Sequence, residues 1–131
     1  MNNKLMLALI VFLGVIGLAG CRSTPIQDME NIPVTMVKAD YGIEDVEKAI
    51  IRAGVKQNWQ LATQQPGVIR ARLSQQNRVA EVLIAYNLKE YSIRYLDSQN
   101  LDYKPGKINK LYNVWVNKLS DAIRIELVSQ Q

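Results

Sequence analysis

"VIRARLSQQNRVAEVLIAYNLKEYSIRYLDS", residues 68–98, decides the fold of this 131-residue chain. Apolar and polar residues alternate through it, with polar breaks at Gln75-Gln76-Asn77 and Leu88-Lys89-Glu90. A period of two with short polar breaks marks antiparallel strands joined by tight turns. Parity then sorts the side chains. Ile69, Ala71 and Leu73 point one way, together with Val82, Ile84 and Tyr86 and with Tyr91, Ile93 and Tyr95. Arg70, Arg72, Glu81, Leu83, Ser92, Arg94 and Leu96 point the other way. One face is a core face; the other is basic with a thin apolar seam. Upstream, "KQNWQLAT" (56–63) leads into the turn Gln65-Pro66-Gly67 and supplies a fourth strand to the meander.

An apolar sheet face needs cover. In "GIEDVEKAIIRAG" (42–54), Ile43, Val46, Ala49, Ile50 and Ala53 recur at helical spacing. Glu44 and Asp45 suit the first turn, Gly42 serves as N-cap and Gly54 as stop. After Pro105-Gly106, a stripe of Ile108, Leu111, Tyr112, Trp115, Val116, Leu119, Ala122 and Ile123 predicts a long second helix. Asn109, Lys110, Asn113, Asn117, Lys118 and Asp121 fall outside that stripe. The expected domain, residues 41–131, is an α+β two-layer sandwich: a helix, a four-stranded antiparallel meander and a long C-terminal helix.

The chain opens with one positive charge at Lys4 and an apolar run from Leu5 to Gly17. A membrane-crossing helix needs about 20 apolar residues, so residues 1–20 read as a signal peptide. It closes on Leu18-Ala19-Gly20-Cys21, which resembles the bacterial lipobox. The resemblance implies cleavage before Cys21 and acylation of both its thiol and its new amine, which exceeds the single chain that binds membranes only marginally. Arg22 follows in place of aspartate. In the Gram-negative sorting pattern this implies the periplasmic side of the outer membrane. Residues 21–40, with Pro25, Pro33 and no helical period, read as an acylated N-terminus and flexible tether, with a short extended piece near Val34 to Val37.

Composition excludes several functions. There is no histidine and a single cysteine, which removes histidine triads, ordinary zinc sites and thiol–disulfide chemistry. The seven glycines form no phosphate-binding loop. Formal charge is +4 before the signal is removed, a mild and dispersed excess, so nucleic acid is not an expected partner. The expectation is a non-catalytic binding or adaptor module without cofactor or metal, held at the membrane and meeting an envelope protein or glycan.

Two surfaces compete for that contact. One is the sheet face with Arg70, Arg72 and Arg94 around Leu83 and Leu96, suited to an acidic or mixed partner. The other is the connection "DSQNLDYKPG" (97–106), where Asp97, Ser98, Asn100, Asp102 and Tyr103 gather oxygen acceptors beside aromatics. An alternative is a small envelope hydrolase using Asp97 with Asp102, or Ser98 activated by Lys104 or Lys107. A divalent ion held by Asp97, Ser98, Asn100 and Asp102 is a further alternative, although the EF-hand spacing and its glycine are missing. The same residues also suit plain turn and capping roles, with Leu101 and Tyr103 pinning the loop to the core.

Tyr91-Ser92-Ile93, Tyr95, Asp97-Ser98, Asn100-Leu101 and Tyr103, followed by Ile108, Tyr112-Asn113 and Trp115, form a combined pattern to which Asn58-Trp59 adds. It resembles a group of small bacterial envelope lipoproteins of unassigned function, over most of the chain from Ile43 to Ile123. The resemblance implies fold and location and no activity. A histidine is common there after the helix-start isoleucine, where this chain has Asn109.

Overall fold

The computed structural model describes residues 23–129; the expected signal peptide, residues 1–20, and Cys21 lie outside the described residues. In chain order the elements are β1 (Ser23–Pro25), β2 (Met29–Pro33), α1 (Ile43–Lys56), β3 (Gln60–Gln65), β4 (Val68–Gln75), β5 (Arg78–Tyr86), β6 (Glu90–Gln99), β7 (Lys107–Asn109) and α2 (Lys110–Ser129). The fold is α+β.

The alternating stretch pairs as its parity requires. Ile69 lies opposite Ile84, and Ile84 opposite Ile93; Ala71 lies opposite Val82, and Val82 opposite Tyr95. These side chains join one core with Val46, Ala49, Ile50 and Ala53 of α1 and Tyr112, Val116, Leu119 and Ile123 of α2. At about 25 cal/mol per Å² of buried apolar surface, this shared layer is the main source of stability. One polar link crosses it: the Tyr91 hydroxyl lies 2.8 Å from Ser120 Oγ and 3.2 Å from the Ser120 carbonyl.

The sheet has five strands rather than four, in the order β2-β6-β5-β4-β3, and β1 pairs with β7 in a separate two-stranded ribbon. The described part of the expected tether, residues 23–40, is therefore not free. From Ser23 onward they are built into the domain, and the strand lies at Met29–Pro33, ahead of the expected piece at Val34 to Val37. The physical reason is the bare edge of β6, whose ten residues would otherwise leave a row of amides and carbonyls unpaired. β2 covers part of that edge, with Met29 opposite Ile93 and Ile32 opposite Tyr91.

Asn113 fastens the segment between the two new strands. The helical period places it on the polar side of α2, yet it is buried. Its Oδ1 accepts the Gln27 amide at 3.0 Å, and its Nδ2 donates to Thr24 Oγ1 at 3.0 Å and to the Pro25 carbonyl at 2.9 Å. Ile26 donates to the Gly106 carbonyl at 3.1 Å, closing the same junction.

Three element ends also move. Helix α1 continues past Gly54 to Lys56, so the following strand begins at Gln60 rather than near Lys56. Gly54 is needed for approach, not as a stop: a Cβ there would lie 2.6 Å from Leu61 Cδ2. At the other end, the Gly42 amide donates to Asp45 Oδ2 at 2.8 Å. Helix α2 begins at Lys110, because Ile108 pairs with Thr24 in the ribbon and Asn109 Oδ1 accepts the Leu111 amide at 3.0 Å as an N-cap. Between the helices, the buried carboxylate of Glu126 takes the Lys56 ammonium and lies 3.5 Å from Arg52.

Each satisfied hydrogen bond contributes about 1 kcal/mol net, so Asn113→Ala should cost about 2–3 kcal/mol in urea unfolding. Hydrogen exchange at Ile26 and Gln27 should accelerate more than in the sheet. Gly54→Ala gains about 1 kcal/mol of helix propensity but overpacks against Leu61 at about 1–3 kcal/mol. In a Leu61→Ala background the same change should become neutral or stabilising. A double-mutant cycle showing no coupling would remove the close-approach explanation.

Candidate functional site

Neither helix covers the outward face of the sheet. Across its middle run Arg70, Leu83 and Arg94, each opposite the next in register. The leucine lies between two long side chains whose stems are apolar and whose heads reach water. Arg94 makes a two-pronged contact with Glu30 of β2, at 2.8 and 3.0 Å. Arg70 bonds Glu81 Oε2 at 3.0 Å, and Arg72 approaches the other oxygen of that carboxylate at 3.7 Å. The face expected to be basic is therefore largely charge-matched, by Glu81 from within β5 and by Glu30 from a strand that the sequence pattern does not reveal.

Arg94 also lines a cleft of about 210 Å³ at the end of this face, with Asn31, Tyr86, Asn87, Glu90 and Ser92. The Asn31 amide donates to Ser92 Oγ at 3.1 Å, while Asn31 itself adopts a left-handed backbone, φ 55°. Amide, hydroxyl, guanidinium and carboxylate groups meet here, a set that suits the hydrogen bonding of a sugar or a peptide backbone. Arg70 and Arg72 do not line it, since they lie opposite Leu83 and Glu81, farther along β4 from the end where Gly67 meets the cleft. Sequence reasoning missed Asn31 and Asn87. The available signal was slight: an asparagine before Ile32-Pro33, and another at the end of an alternating run.

The second predicted surface is brought together differently. β6 runs through Asp97 and Ser98 to Gln99, so these are strand residues, and the connection begins at Asn100. A bulge at Leu96 resets the parity: Tyr95 faces Val82, and the next pair is Asp97 with Glu81. Asp97 thereby joins the outward face and Ser98 turns inward. Asp97 Oδ1 accepts the Ser98 amide at 2.8 Å, and Ser98 Oγ lies 2.8 Å from the Tyr95 hydroxyl. Asn100 and Asp102 have left-handed backbones, and Asn100 Nδ2 donates to the Asn77 carbonyl in the β4–β5 turn.

Leu101 is buried, whereas Tyr103 is 48 % exposed. Its ring still stacks on Tyr95, with centroids 4.7 Å apart, and Tyr95 meets Tyr112 edge-on at 5.5 Å. Tyr112 has its hydroxyl buried without a hydrogen-bond partner among the described residues, and burial pushes its pKa well above the usual phenol range. Among the described residues, no group of three or more histidine, cysteine, aspartate or glutamate side chains is placed to hold a metal ion. Lys104 and Lys107 exchange backbone hydrogen bonds across Pro105-Gly106, where Gly106 takes φ 80°.

Compared with known proteins, the chain matches no family model, no curated protein and no solved structure.

Two carboxylates, exposed Glu30 and half-buried Asp45, make stability depend on pH. The hydrogen bond from Arg94 holds Glu30 below its ordinary value of 4.5, and the Gly42 amide, with Lys38, holds Asp45 below 3.8. A carboxylate depressed in the folded state stabilises fully above its unfolded pKa and loses that contribution as pH falls through the folded one. The urea midpoint should therefore fall between pH 5 and pH 2, and Glu30→Gln should flatten part of that fall. An unchanged slope in Glu30→Gln would show that the pair contributes nothing.

Proposed function

We propose that this protein is a lipoprotein, held by acylated Cys21 on the periplasmic side of the outer membrane, that binds an envelope protein or glycan without catalysing a reaction. The anchor rests on the apolar run from Leu5 to Gly17 followed by Leu18-Ala19-Gly20-Cys21, and on the resemblance to small envelope lipoproteins. The binding role rests on one observation: the scaffold is a two-layer sandwich whose helices cover one sheet face, leaving the other to display Leu83 between Arg70 and Arg94 beside the polar cleft. Matched charges around an apolar centre suit a partner of mixed polarity better than a strongly acidic one.

The hydrolase alternative asks Asp97 with Asp102, or Ser98 activated by Lys104 or Lys107, to act on a substrate. Asp97 already accepts a backbone amide, and Ser98 Oγ is already paired with Tyr95, which favours structural roles for both. The divalent-ion alternative would need Asp97 and Ser98 on one side, but as consecutive strand residues they point to opposite faces, and the bulge at Leu96 sets Asp97 outward and Ser98 inward.

Cys21→Ser should move the protein from the membrane fraction to the soluble periplasm, and mass spectrometry of the wild-type N-terminal peptide should show acyl chains. A photo-crosslinking residue at Arg94 should then give a discrete adduct in intact cells, while the same residue at exposed Val55 on α1 should not. Equal adducts at both positions, or none at Arg94, would argue against the sheet face as the contact surface.

A further inference from the structure

If Cys21 carries the lipid, as proposed above, the fold leaves almost no slack between anchor and domain. Ser23 is already paired with Asn109 in the β1–β7 ribbon. Two residues of extended chain span about 7 Å, whereas the tether of about twenty residues expected from sequence would allow about 25 Å. One particular end of the domain must therefore meet the bilayer.

That end carries cations. Lys104, Lys107 and Lys110 are all exposed, and Lys107 lies opposite Pro25 in the ribbon that holds Ser23. The ribbon turns Ile108 to the core and so Lys107 away from it. Arg78 opens β5 at the same end, where the Asn100–Asn77 bond ties the β4–β5 turn to the connection. Elsewhere the arginines of the sheet face and the cations of the helix contact are paired with Glu30, Glu81 and Glu126, three carboxylates for five cations, and among the described residues Lys48, Lys89 and Lys118 stand singly on other parts of the surface. Lys104, Lys107 and Lys110 have no such ion pair among the described residues. The exposed carboxylate Asp102 lies in the same connection and offsets part of the charge. Tyr103, stacked on Tyr95 but half exposed, adds an aromatic of the kind that sits at headgroup level.

We infer that this end, through Lys104, Lys107 and Lys110, rests on the anionic phospholipid headgroups of the leaflet that holds the acyl chains. The domain is docked rather than roaming, and the β5–β6 turn and the polar cleft near it point away from the membrane. The connection from Asn100 to Gly106 then faces lipid, which makes it a membrane contact rather than a site for a soluble ligand.

The test uses the full-length acylated protein in vesicles containing phosphatidylglycerol. Acylation consumes the Cys21 thiol, so a fluorophore can be placed through Pro105→Cys or, at the opposite end, Leu88→Cys. Quenching by headgroup-labelled lipid should be strong at 105 and weak at 88. Each lysine near an anionic surface favours contact about fivefold, so the triple variant Lys104→Gln, Lys107→Gln and Lys110→Gln should shift docking about 100-fold. Quenching at 105 should then fall markedly, while the short span from Cys21 keeps it above the level seen at 88. Screening at 1 M salt, where the Debye length is about 3 Å, should do the same without any substitution. Equal quenching at both positions, or quenching at 105 that persists in neutral phosphatidylcholine vesicles, would overturn the docking inference and leave the lipoprotein reading intact. An unacylated N-terminal peptide would overturn that reading, and the inference with it.

Discussion

The row of Ile69, Ile84 and Ile93, three β-branched side chains aligned across β4, β5 and β6 beneath both helices, is the constraint from which the rest follows. Once these three share a face, alternate residues along each strand are committed to it, and their neighbours are committed to the other side. Arg70, Leu83 and Arg94 are aligned on the outward face for that reason alone. Parity holds until Leu96, where one extra residue lets β6 end with Asp97 out and Ser98 in. Asp97, expected to work with Asp102, and Ser98, expected to work with Lys104 or Lys107, thus point to opposite faces as neighbouring strand residues do, and each is occupied by a neighbour.

The same sheet creates a need at its edge. β6 is long and central to the core, and it cannot leave its outer side bare; the N-terminal segment fills the gap as β2. Asn113 makes this attachment durable by spending its whole amide on residues 24–27 from a buried position on α2. The consequence reaches beyond stability. A segment that reads in the sequence as a flexible tether becomes part of the domain, and Glu30 arrives with it to complete the ion pair of Arg94.

Long periodic elements were legible in the sequence because burial imposes a repeat: two for β4 to β6, 3.6 for the helices. The core residues Ile69, Val82, Ile84, Tyr91 and Ile93 follow from that repeat. β1 and β2 were not legible, since short strands at an edge or in a ribbon bury too little to impose a period. Asn113 was read as a surface residue for a related reason: helical period marks apolar positions, and it says nothing of a polar side chain buried against another segment's backbone. Glu126 escaped notice in the same way, its partners Arg52 and Lys56 being distant in sequence and adjacent only when α1 lies beside α2. Of the candidate site, Arg94 was legible as an outward strand residue. Its cleft was not, because it is closed by Asn31 of β2, Gly67 before β4 and Asn87 of the β5–β6 turn, which no repeat brings together.

By itself the sequence determined the α+β class, the face on which each residue of β4 to β6 lies as far as Tyr95, and the amphipathic identity of both helices, because burial of apolar surface acts through local periodicity. Tertiary structure alone decided that residues 23–37 belong to the domain, that Arg94 is paired with Glu30, and that Asp97 faces outward and Ser98 inward. Those outcomes depend on hydrogen bonds and ion pairs between segments sixty to ninety residues apart, and on one bulge that breaks the repeat, and no local pattern carries either.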